Sequence, residues 1–305
     1  MKKQIVAASM VLAAVAALAG GISPLTVMTY NIRCAGGDRN SKDNNWPARR
    51  GDFVDFVRRL NPDVVGFQEV QPEQLDWLKS QLPGYDFVGR GRNANGGGEA
   101  SPVAFRRERF KSVAKGTFWL SETPDVPGSV GWDAAHPRIC TYAILVDRKT
   151  GKKFSFANTH TDHIGAAARE NGMLLVLKRM KVFGKGAPVV FVGDHNCPEW
   201  EKPAKAVSRV LKDALYLSET PPEGAWRTFN AWRWKDKELS IADALKSGVV
   251  AGGASGRRYG QNRIDYIYVS KGVRVLSYRN DPSPRPGKKL YPSDHFPAIA
   301  KIVLP

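Results

Sequence analysis

Residues 188 to 196, Pro-Val-Val-Phe-Val-Gly-Asp-His-Asn, constrain this chain more than any other stretch. Pro188 opens an apolar, β-branched run that reads as a buried strand, and Gly193 lets that strand end abruptly in a loop. Side chains alternate along extended backbone, so Asp194 and Asn196 face one way and His195 the other. A carboxylate that only accepts hydrogen bonds and a carboxamide that also donates then address one point, which suits an attacking water beside a phosphate. The same residues could equally close a buried strand as an Asx turn, so the choice falls to the rest of the chain.

That remainder is ordinary globular material. With 305 residues, 42% hydrophobic and 25% charged, it can bury a sizeable core, and it shows no repeat, low-complexity block or long linker. Residues 1–19 read as a secretory signal peptide. Lys2 and Lys3 precede an apolar run from Ile5 to Ala19, too short for a membrane span, and Ala17-Leu18-Ala19 has the small-x-small form of a cleavage site. One domain is expected over residues 25–305: secreted or periplasmic, monomeric, and without a membrane span once the leader is removed. Net charge is +17, or +15 without Lys2 and Lys3, so a polyanion such as nucleic acid, an anionic lipid surface or an acidic glycan is the expected partner. Three cysteines, Cys34, Cys140 and Cys197, leave at least one thiol unpaired. Pairing of Cys34 with Cys197 stays open.

Several other runs also end in chemistry. Leu25 to Ile32 is β-rich and delivers Asn31, which could ligate a metal or hold its water. Pro47 to Leu60 has apolar residues at helical spacing behind a proline suited to the first turn, and Asn61-Pro62 stops it. Val64 to Val70 is then a strand running into Glu69. A carboxylate where a buried strand runs out is costly without a cation or donors, which makes Glu69 the best single metal-ligand candidate. Pro72 to Leu82 is a short amphipathic helix. Residues 90 to 98 form a basic, glycine-rich loop with no helix after it, so a nucleotide cradle is excluded, while Arg92 and its neighbouring arginines are candidates to meet phosphate. That loop leads into Glu99 and a strand from Val103 to Arg106.

Strands at about 116 to 120, 139 to 146 and 154 to 158 follow, with a long polar loop, Ser121 to Arg138, between the first two. Arg138 stands where this loop returns to a strand, placed to brace the site or contact substrate. Asn158 to His163 carries His160, Asp162 and His163 within a few residues; His160 shares a face with Asp162 and can serve a phosphoryl oxygen or a leaving group. A helix is expected over about 166 to 183 and another near 203 to 215. The Trp-rich run from Gly224 to Trp234, with Trp226 as its named residue, reads as a substrate rim. Arg263 to Val269 is an alternating strand carrying Asp265. Near the end, Ser293-Asp294-His295-Phe296-Pro297 precedes a final strand. A buried carboxylate fixes a histidine tautomer and raises its basicity; Asp265 or Asp294 could do this for His295, and alternation along extended chain favours Asp265.

With these pieces assembled, the chain resembles the endonuclease/exonuclease/phosphatase superfamily, which includes deoxyribonucleases, inositol polyphosphate 5-phosphatases and neutral sphingomyelinases. The matching strings are MTYNIR (28–33), QEV (68–70), NTHTDH (158–163), GDHN (193–196), RIDYIYVS (263–270) and SDHFP (293–297), in the family's order. The resemblance implies an α/β fold, a four-layer α/β sandwich of two packed mixed sheets flanked by helices. It implies Asn31, Glu69 and Asp294 at a divalent-metal end holding Mg²⁺ or Mn²⁺, and Asp194 and Asn196 orienting water and phosphate. It further implies His295 with Asp265 as general base, His160 oriented by Glu99 at the transition state, and His163 on phosphate. Two features depart from many relatives: His195 stands where Phe is frequent, and Val192 with Gln261-Asn262-Arg263-Ile264-Asp265 replaces the phosphoinositide 5-phosphatase pattern.

The leading expectation is a metal-dependent phosphodiesterase, a secreted nuclease on DNA or RNA. A phospholipid or sugar-phosphate phosphodiesterase or phosphatase comes second, and a non-catalytic polyanion-binding module third.

Overall fold

The computed structural model describes residues 23–248 and 263–305. The expected signal peptide, and Gln261 and Asn262, lie outside the described residues. Strands are numbered along the chain. One sheet holds β1 (Leu25–Asn31), β2 (Val64–Gln68), β3 (Tyr85–Val88), β4 (Val103–Arg106), β10 (Glu223–Gly224), β12 (Arg274–Asn280) and β13 (Ala298–Val303), in the order β10-β12-β13-β1-β2-β4-β3. The other holds β5 (Phe110–Trp119), β6 (Ile139–Asp147), β7 (Lys153–His160), β8 (Val189–Asp194), β9 (Lys212–Asp213) and β11 (Asp265–Val269), in the order β5-β6-β7-β8-β11-β9. The helices are α1 (Trp46–Leu60), α2 (Pro72–Gln81), α3 (Ala166–Gly184), α4 (Lys202–Ser208), α5 (Ala214–Leu217) and α6 (Ile241–Ser247). Among the described residues no helix is long and apolar enough to cross a membrane.

Alternation along the strands sorts side chains into three apolar layers. Leu25, Val27, Val64 and Phe105 of the first sheet meet Phe156, Val190, Val192 and Ile267 of the second between the sheets. Met28, Tyr30, Val65 and Phe67 turn outward onto Phe53 and Val57 of α1 and Leu78 of α2. On the far side, Ala157, Phe191, Tyr266 and Tyr268 meet Met173, Val176 and Met180 of α3 and Ala204 and Val207 of α4. Each such side chain contributes about 1.5–3 kcal/mol on full burial. The result is the expected four-layer sandwich of two mixed sheets flanked by helices.

Local chemistry sets the ends. Asn45 caps α1, its Oδ1 accepting from the Ala48 N–H at 2.9 Å, Pro47 occupies the first turn, and Asn61 closes the helix in left-handed backbone at φ 51°. The single helix expected over 203–215 is instead α4, β9 and α5, because Asp213 ion-pairs with the buried Arg263 and its Oδ1 accepts from the Leu215 N–H at 3.0 Å to start a new turn. β5 begins at Phe110, earlier than its expected start near 116, and β13 begins at Ala298.

At the site's edge the two sheets are tied by polar groups. Asn158 on β7 donates to the Phe67 and Pro102 carbonyls at 2.8 and 2.9 Å, and Gln68 donates to Asn158 Oδ1 at 2.7 Å. Room for this comes from Gly66, where a Cβ would lie 2.5 Å from Asn158 Cγ and 2.7 Å from Val192. The strand ends around Gly66 therefore stay in one register.

Candidate active site

β1 runs parallel to β2 and β7 to β8, so all four end on one edge, and β11 and β13, antiparallel to β8 and β1, begin there. In register, Asp194 sits between His160 on β7 and Asp265 on β11. Gly193 permits this: at φ 151° its backbone passes so close to Thr159 that a Cβ would lie 2.1 Å from the Thr159 carbonyl oxygen. Five non-glycine residues around the resulting cavity, Arg33, Glu69, Asn196, Ala231 and Trp232, hold left-handed backbone at φ 59°, 61°, 46°, 52° and 60°. Such strain persists where surroundings dictate it and clusters at functional sites.

The cavity is about 630 Å³ and is lined by Glu69, Arg92, Glu99, Arg138, His160, His163, Asp194, Asn196, Asp294 and His295, all anticipated from sequence. Asn31 and Asp265 are fully buried behind it. Asn31 Nδ2 donates to Glu69 Oε1 at 2.9 Å and Asp194 Oδ2 at 3.0 Å, and its Oδ1 accepts from the Arg33 N–H at 3.0 Å. Its amide thus bridges two carboxylates, and its oxygen keeps one lone pair beyond the bond from Arg33. Asn196 donates to the Thr161 carbonyl at 3.0 Å and to His160 Nε2 at 2.8 Å, so Nε2 accepts and the proton resides on Nδ1. His295 Nδ1 lies 2.8 Å from Asp265 Oδ2, and its Nε2 lies 3.7 Å from Asp194. Of the two candidate partners for His295, Asp265 makes the bond. His195 points away from all this, ringed by Phe191, Tyr266 and Tyr268.

Two further expectations are corrected. Trp226 is no substrate rim; it is 1% exposed in the core between the sheets, against Arg263. Glu99 does not orient His160: its carboxylate accepts from Arg92 Nη1 at 2.9 Å, and His160 Nδ1 has no partner among the described residues. Arg138 donates to Asp162 at 3.3 Å and to His163 Nδ1 at 3.0 Å, which leaves His163 Nε2–H as a donor. All three cysteines are free, so Cys34 and Cys197 do not pair. Arg33, His136, Phe229, Ala231, Trp232 and Ile264 also line the cavity without having been singled out. Arg33 lay inside a quoted motif and Trp232 inside the Trp-rich run, but neither neighbourhood said which side chain turns inward.

Electrostatically the site holds many carboxylates in little water. Burial and the facing Asp265 push Asp194 up to about 7, and burial lifts Asp294 to about 6. Burial also opposes charge on Glu69, yet it is held at about 2 by His160 and by hydrogen bonds from Asn31 and the Cys34 N–H. Because burial and the Arg138 guanidinium keep His160 itself well below the imidazole range, the two hydrogen bonds carry that effect. Burial opposes charge on His295 too, but Asp265, with Asp194 and Asp294, raises it to about 10. Without a cation, His295 is thus an imidazolium, and Asp194 is the carboxylate able to take a proton near neutrality.

Do these residues fit a divalent ion? Asp194, Asp265 and His295 offer ligand atoms within 4.8 Å of one another, but the 2.8 Å bond inside that trio is that of an imidazolium and its carboxylate partner. Glu69 and Asp294 fit better. They are hard oxygen donors facing the cavity, and the Arg33 guanidinium, 3.9 Å from Glu69 and 3.7 Å from Asp294, already supplies them positive charge.

The chain is similar to known proteins along most of its length. A mannosyl-6-phosphatase from Bacteroides thetaiotaomicron is 35% identical with a TM-score of 0.79, over 92% of this chain and 100% of that one. An endonuclease/exonuclease/phosphatase family protein from the same species is 34% identical with a TM-score of 0.80, over 93% and 97%. An uncharacterised protein of Acanthamoeba polyphaga mimivirus is 27% identical over 164 residues, 50% of this chain and 59% of that protein, so the chain spans less than two thirds of the curated relatives it matches. The model of the Endonuclease/Exonuclease/phosphatase family matches residues 28–295, from the strand bearing Asn31 to His295 itself, and the chain therefore belongs to this family of hydrolytic phosphoesterases.

Proposed function

We propose that this protein is a divalent-metal-dependent hydrolase of small phosphate esters, with a sugar phosphate as the substrate class its cavity suits best. The observation that carries this reading is the two-sided lining. Arg92, Arg138 and His163 supply donors for one phosphoryl group, while Phe229, Ala231, Trp232 and Ile264 supply an apolar surface for one ring. A volume of about 630 Å³ lies within the range of small-ligand sites, roughly 300–1,000 Å³. The 35% identity to a mannosyl-6-phosphatase supports the same choice.

In this reading Glu69 and Asp294 would hold Mg²⁺ or Mn²⁺, which would supply Lewis-acid polarisation of the phosphoryl oxygen. Asp194 and Asn196 orient the attacking water, and Asp194 takes its proton. His295, an imidazolium fixed by Asp265 and facing the same carboxylate, gives its proton to the leaving alkoxide and recovers one from Asp194. Arg138 and His163 donate to the oxygens on which charge accumulates. Leader sequence and charge support a secreted or periplasmic monomer.

Nucleic acid is the second reading, favoured by the net charge of +15 without Lys2 and Lys3. Purified protein would be incubated with Mg²⁺ or Mn²⁺ and hexose 6-phosphates, plasmid DNA, RNA, sphingomyelin and bis-p-nitrophenyl phosphate. Phosphate release from the hexose phosphates is expected. Nicked plasmid or degraded RNA with no such release would replace the proposal by the nuclease reading.

A further inference from the structure

The turn from Phe229 to Trp232 is built at a conformational cost that the hydrolytic chemistry does not explain. Ala231 and Trp232 are consecutive non-glycine residues in left-handed backbone, at φ 52° and 60°. Each such residue is strained and persists only where its neighbours dictate it. Here they do. The Asn230 and Ala231 N–H groups donate to the Asp294 carbonyl at 2.7 and 3.1 Å, and Asn230 Nδ2 donates to the Ser293 carbonyl at 3.1 Å. Asn230 Oδ1 in turn accepts from the Trp232 N–H at 2.9 Å. Phe229 pairs with His295 through a backbone bridge, and their rings lie 4.9 Å apart. The turn is thus fastened to the segment that carries Asp294 and His295.

Trp232 is held from behind as well. Its indole packs over the Arg49 guanidinium at 5.4 Å, and Arg49, fully buried, donates to the Ile32, Arg33 and Pro292 carbonyls. Ring, turn and site segment therefore form one rigid unit, and the half-buried indole lines the cavity beside Ala231 and Phe229. A loop that only connected β10 to α6 would need no aromatic residue on strained backbone at the wall of the cavity.

We infer that the turn Asn230–Trp232 determines specificity for the non-phosphate part of the substrate, with the Trp232 indole as a stacking platform for the C–H face of a sugar ring. The inference rests on the small-ester reading above and deepens it. A flat aromatic ring and the apolar face of a pyranose exclude water from each other, and the fixed distance to His295 and Asp294 sets how far that ring stands from the phosphorus.

The test compares Trp232→Ala and Trp232→Phe with the wild type on a hexose 6-phosphate and on acyclic glycerol phosphate, reading kcat and KM separately. A single apolar contact in a binding pocket discriminates by roughly 10–200-fold. For Trp232→Ala the hexose-to-glycerol ratio of kcat/KM should fall at least about tenfold, mainly through KM, with Trp232→Phe in between. An equal loss on both substrates would overturn the inference and leave Trp232 a structural residue. Should the wild type hydrolyse no sugar phosphate, the functional reading fails by itself. The turn is then judged on a ring-bearing and an acyclic ester that are turned over: loss confined to a nucleotide overturns the sugar assignment, and equal loss overturns the platform.

Discussion

Replacing His195 by Phe should make the fold more resistant to acid while leaving the site untouched. His195 is fully buried, its ring lies 4.8 Å from Phe191, 5.4 Å from Tyr266 and 5.6 Å from Tyr268, and neither ring nitrogen has a partner among the described residues. Burial, with the nearby Arg263 guanidinium, lowers this imidazole from 6.5 to about 3. The sign follows directly. Between those two values the unfolded chain binds a proton that the folded chain refuses, so stability falls as pH drops from 6.5 toward 3, at up to about 1.4 kcal/mol per pH unit. Near neutrality the variant gains by losing unsatisfied polar atoms, about 1–3 kcal/mol, and loses a similar amount if the larger ring overpacks. That offset is independent of pH; the titration is not. From about pH 7 to about pH 4.5 the advantage of His195→Phe should grow by roughly 2.5 kcal/mol. Urea unfolding of both proteins across that range reads it out, the midpoint giving stability and the slope reporting two-state behaviour. A difference that stays flat with pH would show that His195 accepts a proton in the folded state, and the argument from its dry aromatic cage would fail.

Glu69→Gln and His295→Ala should each lower turnover by at least about a hundredfold while circular dichroism stays native; retained activity in either would contradict its assigned role. Asp265→Asn breaks a buried pair and should cost about 3–5 kcal/mol. Because His295 is raised from 6.5 to about 10, that stabilisation is complete below 6.5 and lost as pH rises through 10, so the cost should shrink at high pH in unfolding experiments. Mg²⁺ at about 100 times its dissociation constant should stabilise by about 2.7 kcal/mol, a melting shift of roughly 4–5 °C, reversed by chelator. Asp194 and Asp294, raised from 3.8 to about 7 and 6, destabilise the metal-free fold increasingly as pH climbs through that range, so the Mg²⁺ shift should grow from about pH 5 to pH 7; a shift independent of pH would contradict these carboxylates as the cation's surroundings.

Much of the fold was legible because its signals are local. The run Val189–Asp194 is apolar on both faces, as a strand between two layers must be, and α1 carries its cap, its proline and its stop within the segment itself. Misreadings arose where a distant partner outvoted local pattern. Residues 203–215 keep a helix-like apolar spacing, but Asp213 is drawn to Arg263 and the helix breaks. Trp226 shares its aromatic and basic neighbourhood with Trp232, and only tertiary packing sends the first into the core and the second to the cavity.

The site divides the same way. Strand ends announce themselves: a carboxylate, carboxamide or imidazole following an apolar run is expensive unless something meets it, which is why Asn31, Glu69, His160, Asp194, Asp265 and His295 could be named from sequence. What meets each one could not be read, because hydrogen-bond direction depends on neighbours far along the chain. Asn31 turns its amide toward Glu69 and Asp194, and Glu99 takes Arg92 in place of His160. Taken together these bonds leave Glu69, Asp194, Asp265 and Asp294 crowded around one imidazolium and one half-exposed guanidinium, Arg33. No single motif contains that imbalance; it exists only once separate strands have brought their ends to one edge. The same imbalance that lifts Asp194 and Asp294 toward neutrality would favour a hard dication in the proposed site, so the residues that strain the metal-free fold are those the proposal makes responsible for a reactive phosphate ester.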